Sequence, residues 1–431
     1  MMLHPLQRLA ASPNSDRPLG IYSVCSAHPM VLEAAVRQAV EDGTALLVEA
    51  TSNQVNQFGG YTGMRPSEFR DFALQIASRC GLSEKKLILG GDHLGPNPWQ
   101  HLPSAEAMQN AEDLVAEYSR AGFIKIHLDA SMSCSDEMAP LSDQVVAERA
   151  ARLCRIAEEA SGGANRFYVI GTEVPKPGGA LESLEELTVT SYDDAARTLD
   201  IHRRVFADAG LSEVWPRVIA LVVQPGVEFN HDSVVDYDSK KTGALRKLLA
   251  ESDGLVFEAH STDYQIPATY KRLVQDGFAI LKVGPALTYA MREALFALAR
   301  IEEEIVPTEK RSRLPQVLEE VMVARPKHWD KHYRGSAEEQ YLLRRFSYSD
   351  RIRYYWPEAE VQSAMNILLQ NLEKASIPES LVSGILPDQY RSFRSGHLQL
   401  SPHELVVDQI RQALRPYAAA CYGLEDQCLD S

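Results

Sequence analysis

Hydrophobic and polar positions along the first three hundred residues fall into a repeating order. Short apolar runs alternate with amphipathic stretches of helical period. The runs predict eight strands, over 19–25, 45–50, 87–92, 124–130, 167–173, 218–224, 255–260 and 279–284. Between them Pro66 opens a helix and Gly81 closes it. Ser104, Ser142 and Ser191 read as N-caps, and Gly122, Gly210 and Gly277 stand where helices should stop. Eight strands alternating with helices predict an α/β fold, a (β/α)8 TIM barrel over 1–300. A faint internal echo agrees, since "AGFIKIHLD" (121–129) and "DGFAILKVG" (276–284) both run from a helix-ending glycine and a phenylalanine into a strand. From 301 to 431 the pattern changes to helical stretches such as "EVQSAMNILLQNLEKA", a helical C-terminal extension packed on the barrel. The loop 50–66, "ATSNQVNQFGGYTGMRP", is rich in amides and glycine and long enough to be functional or disordered.

Strand alternation also sorts the polar residues. In a barrel of this kind one parity meets the surrounding helices and the other faces the axis. Strand four puts Lys125, His127 and Asp129 on the inner parity, strand seven Glu258 and His260, and strand eight Lys282. Strands two, three, five and six end in Glu49, Asp92, Glu173 and Gln224. The C-terminal strand ends form the mouth where such barrels do their chemistry. At strand three, "LGGDHLGPNPW" places Asp92 and His93 there, with Gly90 and Gly91 leaving room for a ligand or neighbouring side chains.

Any one buried charge is most simply a paired structural residue, and Lys125, deeper in the barrel, reads that way; His127 reads equally well either way. The set is harder to dismiss. Glu49, Asp92, Asp129, Glu173 and Glu258 are five acids against Lys125 and Lys282. Clustered carboxylates need raised pKa values or a bound cation. His93 and His260, with Glu173 as oxygen donor, suit a divalent metal such as zinc, manganese or magnesium. Asp92, Glu173, Asp129 and Lys282 are the candidate catalytic groups. A metal-free alternative has Lys282 forming a Schiff base with a ketose. Glu49, Asn53, Gln224 and Glu258 are candidates for substrate contacts. The exits "HSTDYQ" (260–265) and "VGPALTYA" (283–290) offer Ser261, Thr262, Gly284 and Thr288 as a phosphate site, and "SDRIRYYW" (349–356) offers Arg351 and Arg353.

Composition narrows the partners. The 431 residues carry 44 Lys plus Arg against 59 Asp plus Glu, a net charge of −15, which argues against nucleic acid and anionic membrane. The six cysteines form no C-x-x-C pair, and the longest apolar runs, such as 218–223, are too short to span a bilayer. With no signal-peptide pattern at the N-terminus, a cytoplasmic home is expected. A homo-oligomer stays open.

The motifs "SVCSAHP" (23–29), "EATSNQVNQFGGYTGM" (49–64), "LGGDHLGPN" (89–97), "KIHLDASMSC" (125–134), "VIGTEVPKPGG" (169–179), "VVQPGVEF" (222–229), "EAHSTDYQ" (258–265), "LKVGPALTYA" (281–290) and "SDRIRYYWP" (349–357) resemble the Z-type subunit family of tagatose-bisphosphate aldolase over nearly the whole chain. The resemblance implies a barrel handling D-tagatose phosphates in galactitol or tagatose catabolism. Members act as auxiliary subunits that stabilise a catalytic Y-type aldolase partner, or as enzymes interconverting D-tagatose 6-phosphate and D-fructose 6-phosphate by inversion at C4. Some are also called tagatose 6-phosphate kinases, but this sequence has no P-loop and no kinase glycine loop. A more distant likeness reaches the metal-dependent class II aldolases. "GDH" (91–93) is similar to their strand-three pair, in which the Asp handles a proton and the His binds metal, and His260 is similar to a strand-seven ligand. Their strand-six histidine is replaced here by Gln224, so Glu173 would have to complete the set. The costly polar mouth favours the epimerase over the auxiliary subunit, and a retro-aldol cut between C3 and C4 is its expected route. Transient oxidation at C4 would need a dinucleotide fingerprint, which the sequence lacks.

Overall fold

The computed structural model describes residues 3–11, 18–172 and 187–424. Eight parallel strands close into a barrel: β1 (Ile21–Val24), β2 (Leu46–Thr51), β3 (Leu87–Leu94), β4 (Lys125–Leu128), β5 (Phe167–Ile170), β6 (Val218–Val222), β9 (Val256–Ala259) and β10 (Phe278–Val283). Seven begin and end within two residues of an expected strand and β5 stops three residues short, each being a short, buried run. Strand order follows the chain around the barrel, with β1 pairing β10 to close it. A two-residue hairpin, β7 (Glu228–Phe229) with β8 (Val234–Val235), rises after β6; such short strands leave no periodic signal.

The helices are α2 (Pro29–Asp42), α3 (Pro66–Arg79), α4 (Ser104–Arg120), α5 (Asp143–Ala160), α6 (Tyr192–Asp208), α7 (Gly243–Ala250), α8 (Pro267–Gln275) and α9 (Pro285–Ile305). Ser142 and Ser191 cap α5 and α6 as expected, accepting from the Val145 and Asp194 amides. Ser104 does not cap α4. Pro103 holds the cap position, and the Ser104 hydroxyl instead donates to Asp136 at 3.1 Å. The last barrel helix, α9, runs through position 300.

Two cores share the barrel. The larger lies between strands and helices and continues into the extension through Leu314, Leu368, Leu405 and Leu414. The smaller fills the lower interior. Ile21, Leu47, Ile88, Phe167 and Ile280 meet Leu6, Leu9 and Ala10 of a short N-terminal helix, α1 (Pro5–Ala10), which closes the floor. His4 stacks on Phe167 with centroids 5.1 Å apart. Above this apolar floor the inward residues become polar: Ser23, Glu49, Lys125, His127, Glu258 and Lys282.

The extension supplies α10 (Leu314–Ala324), α11 (Ala337–Phe346), α12 (Ala359–Ala375), α13 (Glu379–Ile385), α14 (Pro387–Arg394) and α15 (Pro402–Tyr422). α15 returns to pack on α2, α8, α9 and β1. Its Cys421 carbonyl accepts from the Gly20 amide at 2.9 Å, and Tyr422 donates to the Ala45 carbonyl at 2.7 Å.

Candidate active site

The polar layer begins with a buried ion network. Lys125 Nζ sits 2.6 Å from Glu49 Oε1 and 2.7 Å from Glu258 Oε2. One level up, Lys282 Nζ pairs with Glu49 Oε2 and lies 2.9 Å from Asp92 Oδ1 and 3.9 Å from Glu258 Oε1. Gly90 makes the layer possible, since a Cβ there would stand 2.8 Å from Glu49 Cγ. Burial alone would lower both lysine pKa values. The facing carboxylates overcome it, raising Lys125 and holding Lys282 well above its ordinary range. Burial would likewise raise the Asp92 and Glu258 carboxyls. His93 and Lys282 hold Asp92, and Lys125 and Lys282 hold Glu258, well below the usual range.

Asp92 and His93 are adjacent, yet both belong to the site, which strict alternation forbids. The backbone resolves this. His93 has φ 50°, in the left-handed region that non-glycine residues rarely adopt, and the β3–β4 register shifts between Gly91 and Leu94. β3 therefore continues to Leu94, two residues past the expected end. Ser261, after β9, is left-handed as well, with φ 52°.

Three imidazoles gather around Asp92. The ring centroids of His93, His127 and His260 lie 4.9 to 5.3 Å apart. Each has one nitrogen tied to a carboxylate: His93 Nδ1 to Asp129 at 2.7 Å, His127 Nδ1 to Asp92 at 2.9 Å, and His260 Nε2 to Glu258 at 2.9 Å. Such carboxylate–histidine pairs orient imidazoles that bind metals. His127 Nε2 is buried without a hydrogen-bond partner among the described residues. Ligand atoms of Asp92, His127, Glu258 and His260 all lie within 4.8 Å of one another. Burial lowers His260 to a pKa of about 4, so it is neutral at pH 7. His93 is raised, burial being outweighed by Asp92 and Asp129, and Asp129 is drawn down to about 2 against its own burial by its hydrogen bond to His93.

Above the imidazoles opens a cavity of about 90 Å³. Of the expected residues, Asn53, Asp92, His93, His260, Ser261, Lys282, Gly284 and Arg353 line it. Glu49, Asp129 and Glu258 lie beneath as partners of the lysines and histidines. Four others are engaged elsewhere. Gln224 accepts from the Gly226 and Val227 amides, and Thr262 donates to the Lys282 carbonyl. Thr288 donates to Asp350, and Arg351 bonds the His328 carbonyl and lies against the Tyr354 ring. Glu173 lies outside the described residues. The cavity also uses residues the sequence did not single out: Cys25, Thr51, Gln54, Tyr61, Asp263 and Tyr354. Loop 50–66 is an ordered wall. Asn56 Oδ1 accepts from the Phe58 and Gly60 amides, and Gln54 donates to the Cys25 carbonyl. From the extension, Arg353 donates to the Asp350 carbonyl and the Tyr354 hydroxyl.

Residues 6–422 match the family model described as D-tagatose-1,6-bisphosphate aldolase subunit GatZ/KbaZ-like. A crystal structure of a probable tagatose 6 phosphate kinase from Sinorhizobium meliloti 1021 superposes with a TM-score of 0.87 at 47% identity, covering 93% of this chain and 100% of that one. A fructose-bisphosphate aldolase from Campylobacter jejuni aligns at 12% identity over 83% of this chain and 89% of its own, with a TM-score of 0.42. With the match running from α1 through α15, the chain belongs to the GatZ/KbaZ-like family of D-tagatose-1,6-bisphosphate aldolase subunits.

Proposed function

We propose that the chain is a ketohexose-phosphate 4-epimerase that interconverts D-tagatose 6-phosphate and D-fructose 6-phosphate. The observation that carries this reading is the triangle of carboxylate-paired histidines above two fully ion-paired lysines. A barrel serving only to stabilise a partner has no use for so many buried charges at its mouth.

C4 of a 2-ketohexose is not acidified by the C2 carbonyl, so direct proton abstraction there is poor. In the proposed route the C4 hydroxyl proton passes to Asp92, which is ionised at neutral pH and reaches the cavity. The C3–C4 bond breaks, leaving an aldehyde at C4 and its electron pair in an enediolate spanning C2 and C3. Rotation of the aldehyde presents its other face. Re-addition restores the bond with C4 inverted, and Asp92 returns the proton. Lys282, held as an ammonium, tunes the Asp92 carboxylate; its raised pKa argues against a Schiff base, which needs a free amine.

The residues fit a divalent ion, given the clustered ligand atoms and the unpartnered His127 Nε2. His127 and His260 would hold it with Glu258 as oxygen donor, and His93, its ring centroid 4.9 Å from that of His260, would close the set, leaving Asp92 to the proton. Bound there, the ion would polarise the C2 carbonyl and stabilise the charge left by the cut. Imidazole-rich sites favour zinc over magnesium. His127 is a third nitrogen donor beside the two that the sequence singled out. Arg353 is the proposed phosphate contact.

The second reading, a stabilising subunit of a Y-type aldolase, is favoured by the description of the family. Incubating the purified chain alone with D-tagatose 6-phosphate separates the two. Formation of D-fructose 6-phosphate that stops with EDTA and returns with a divalent ion is expected. Turnover appearing only after a Y-type subunit is added overturns the epimerase reading.

A further inference from the structure

The loops after the seventh and eighth strands are where barrels of this class commonly bind phosphate, through backbone N–H groups at a helix N-terminus. Here those groups are already engaged. Asp263 Oδ1 accepts from the Gly284 amide at 3.0 Å and from the Ala286 amide at 2.8 Å, at the start of the 21-residue helix α9. Asp263 is 2% exposed and lines the same cavity as Asp92 and His260. The cavity's cations are limited too. Lys282 is surrounded by three carboxylates, and Lys125 lies beneath it between two. Among the described residues, Arg353 is the cavity-lining cation without a carboxylate partner.

Resting on the reading of the mouth as a ketohexose 6-phosphate site, we propose that Asp263 is a specificity-determining residue: its carboxylate stands in for a second phosphate and restricts the site to sugars phosphorylated at one end. A phosphate at C1 would meet a fixed negative charge and find the Gly284 and Ala286 amides taken. A free C1 hydroxyl can instead donate to Asp263 Oδ2. Burial raises the Asp263 carboxyl to about 6 against the pull of the two amides and of Arg353, so it carries its charge at neutral pH. A bisphosphate aldolase needs two phosphate sites, so this one residue sets the site apart from such an aldolase by substrate charge.

The test compares wild type with Asp263→Asn, which removes the charge and keeps an oxygen for the helix cap, and Asp263→Ser, which vacates the space. Kd values for inorganic phosphate, D-tagatose 6-phosphate and D-tagatose 1,6-bisphosphate are measured by calorimetry on the full chain, with circular dichroism to verify folding. Wild type is expected to prefer the monophosphate by about tenfold or more, the scale of an avoided like-charge contact. Either folded variant is expected to narrow that ratio about tenfold and to bind inorganic phosphate correspondingly tighter. Equal phosphate affinity in wild type and folded Asp263→Asn overturns the assignment even if the chain epimerises. A gain in phosphate affinity upholds it even if the isolated chain turns over no sugar. If Asp263→Ser does not fold, the charge-only change in Asp263→Asn decides.

Discussion

Asp92 and His93 divide two tasks between adjacent side chains, and the left-handed backbone at His93 is what lets both face the mouth. Asp92→Asn keeps the shape and removes the ionisable group. Turnover should fall about a hundredfold or more, the scale of a lost acid–base residue, with metal content retained by elemental analysis. His93→Ala should lose metal instead; the reverse pattern would exchange their roles. Lys125 serves the layer below. Lys125→Met would remove the cation between Glu49 and Glu258 and leave them only Lys282 above, so urea unfolding should report a loss of about 3 kcal/mol. A loss under 1 kcal/mol would mean that one carboxyl simply takes up a proton there. At this scale inward parity was legible, because alternation alone puts Lys125, Glu258 and Lys282 on the axis. The third imidazole was not singled out as a ligand. His127 has no local spacing to His93 or His260, and only barrel closure brings the three together. Asp263 was missed for a related reason: an acid within a loop carries no sign of which amides it will reach.

Strands and helices were legible where burial is continuous. All eight barrel strands are short buried runs, whereas the β7–β8 hairpin is too brief to show a period and the Ser104 hydroxyl was diverted by Asp136. Elements also carry their own titrations. On α6, packed between α5 and α7, His202 donates through Nδ1 to the Thr198 carbonyl while Nε2 stays buried. Burial lowers its pKa from 6.5 to about 4. Between those values the unfolded chain binds a proton that the folded chain refuses. This group's share of stability is therefore present above pH 6.5 and is lost as pH falls toward 4, by about 1.4 kcal/mol per pH unit. His202→Gln should flatten the acid limb of a stability–pH profile by that slope. An unchanged slope would mean that His202 is already protonated in the fold.

Across the whole molecule the extension does more than cover helices. α15 ties β1 and the strand-seven exit together, Tyr417 donating to the Thr262 carbonyl at 2.9 Å, while Arg353 and Tyr354 reach the cavity. The hydrophobic pattern announced helices after residue 300 but not their return to the mouth, since an amphipathic stripe names no partner. The closed floor has a kinetic corollary. A tube stopped at one end by Leu6 and Leu9 has a single exit. If the sugar is cut between C3 and C4, neither fragment can leave by the far end. Leakage then becomes a race between recombination and escape through one door. Isotopically labelled dihydroxyacetone added during turnover should stay out of the hexose pool, as mass spectrometry would reveal. Rapid label uptake would mean that escape through the mouth outpaces recombination on every cycle.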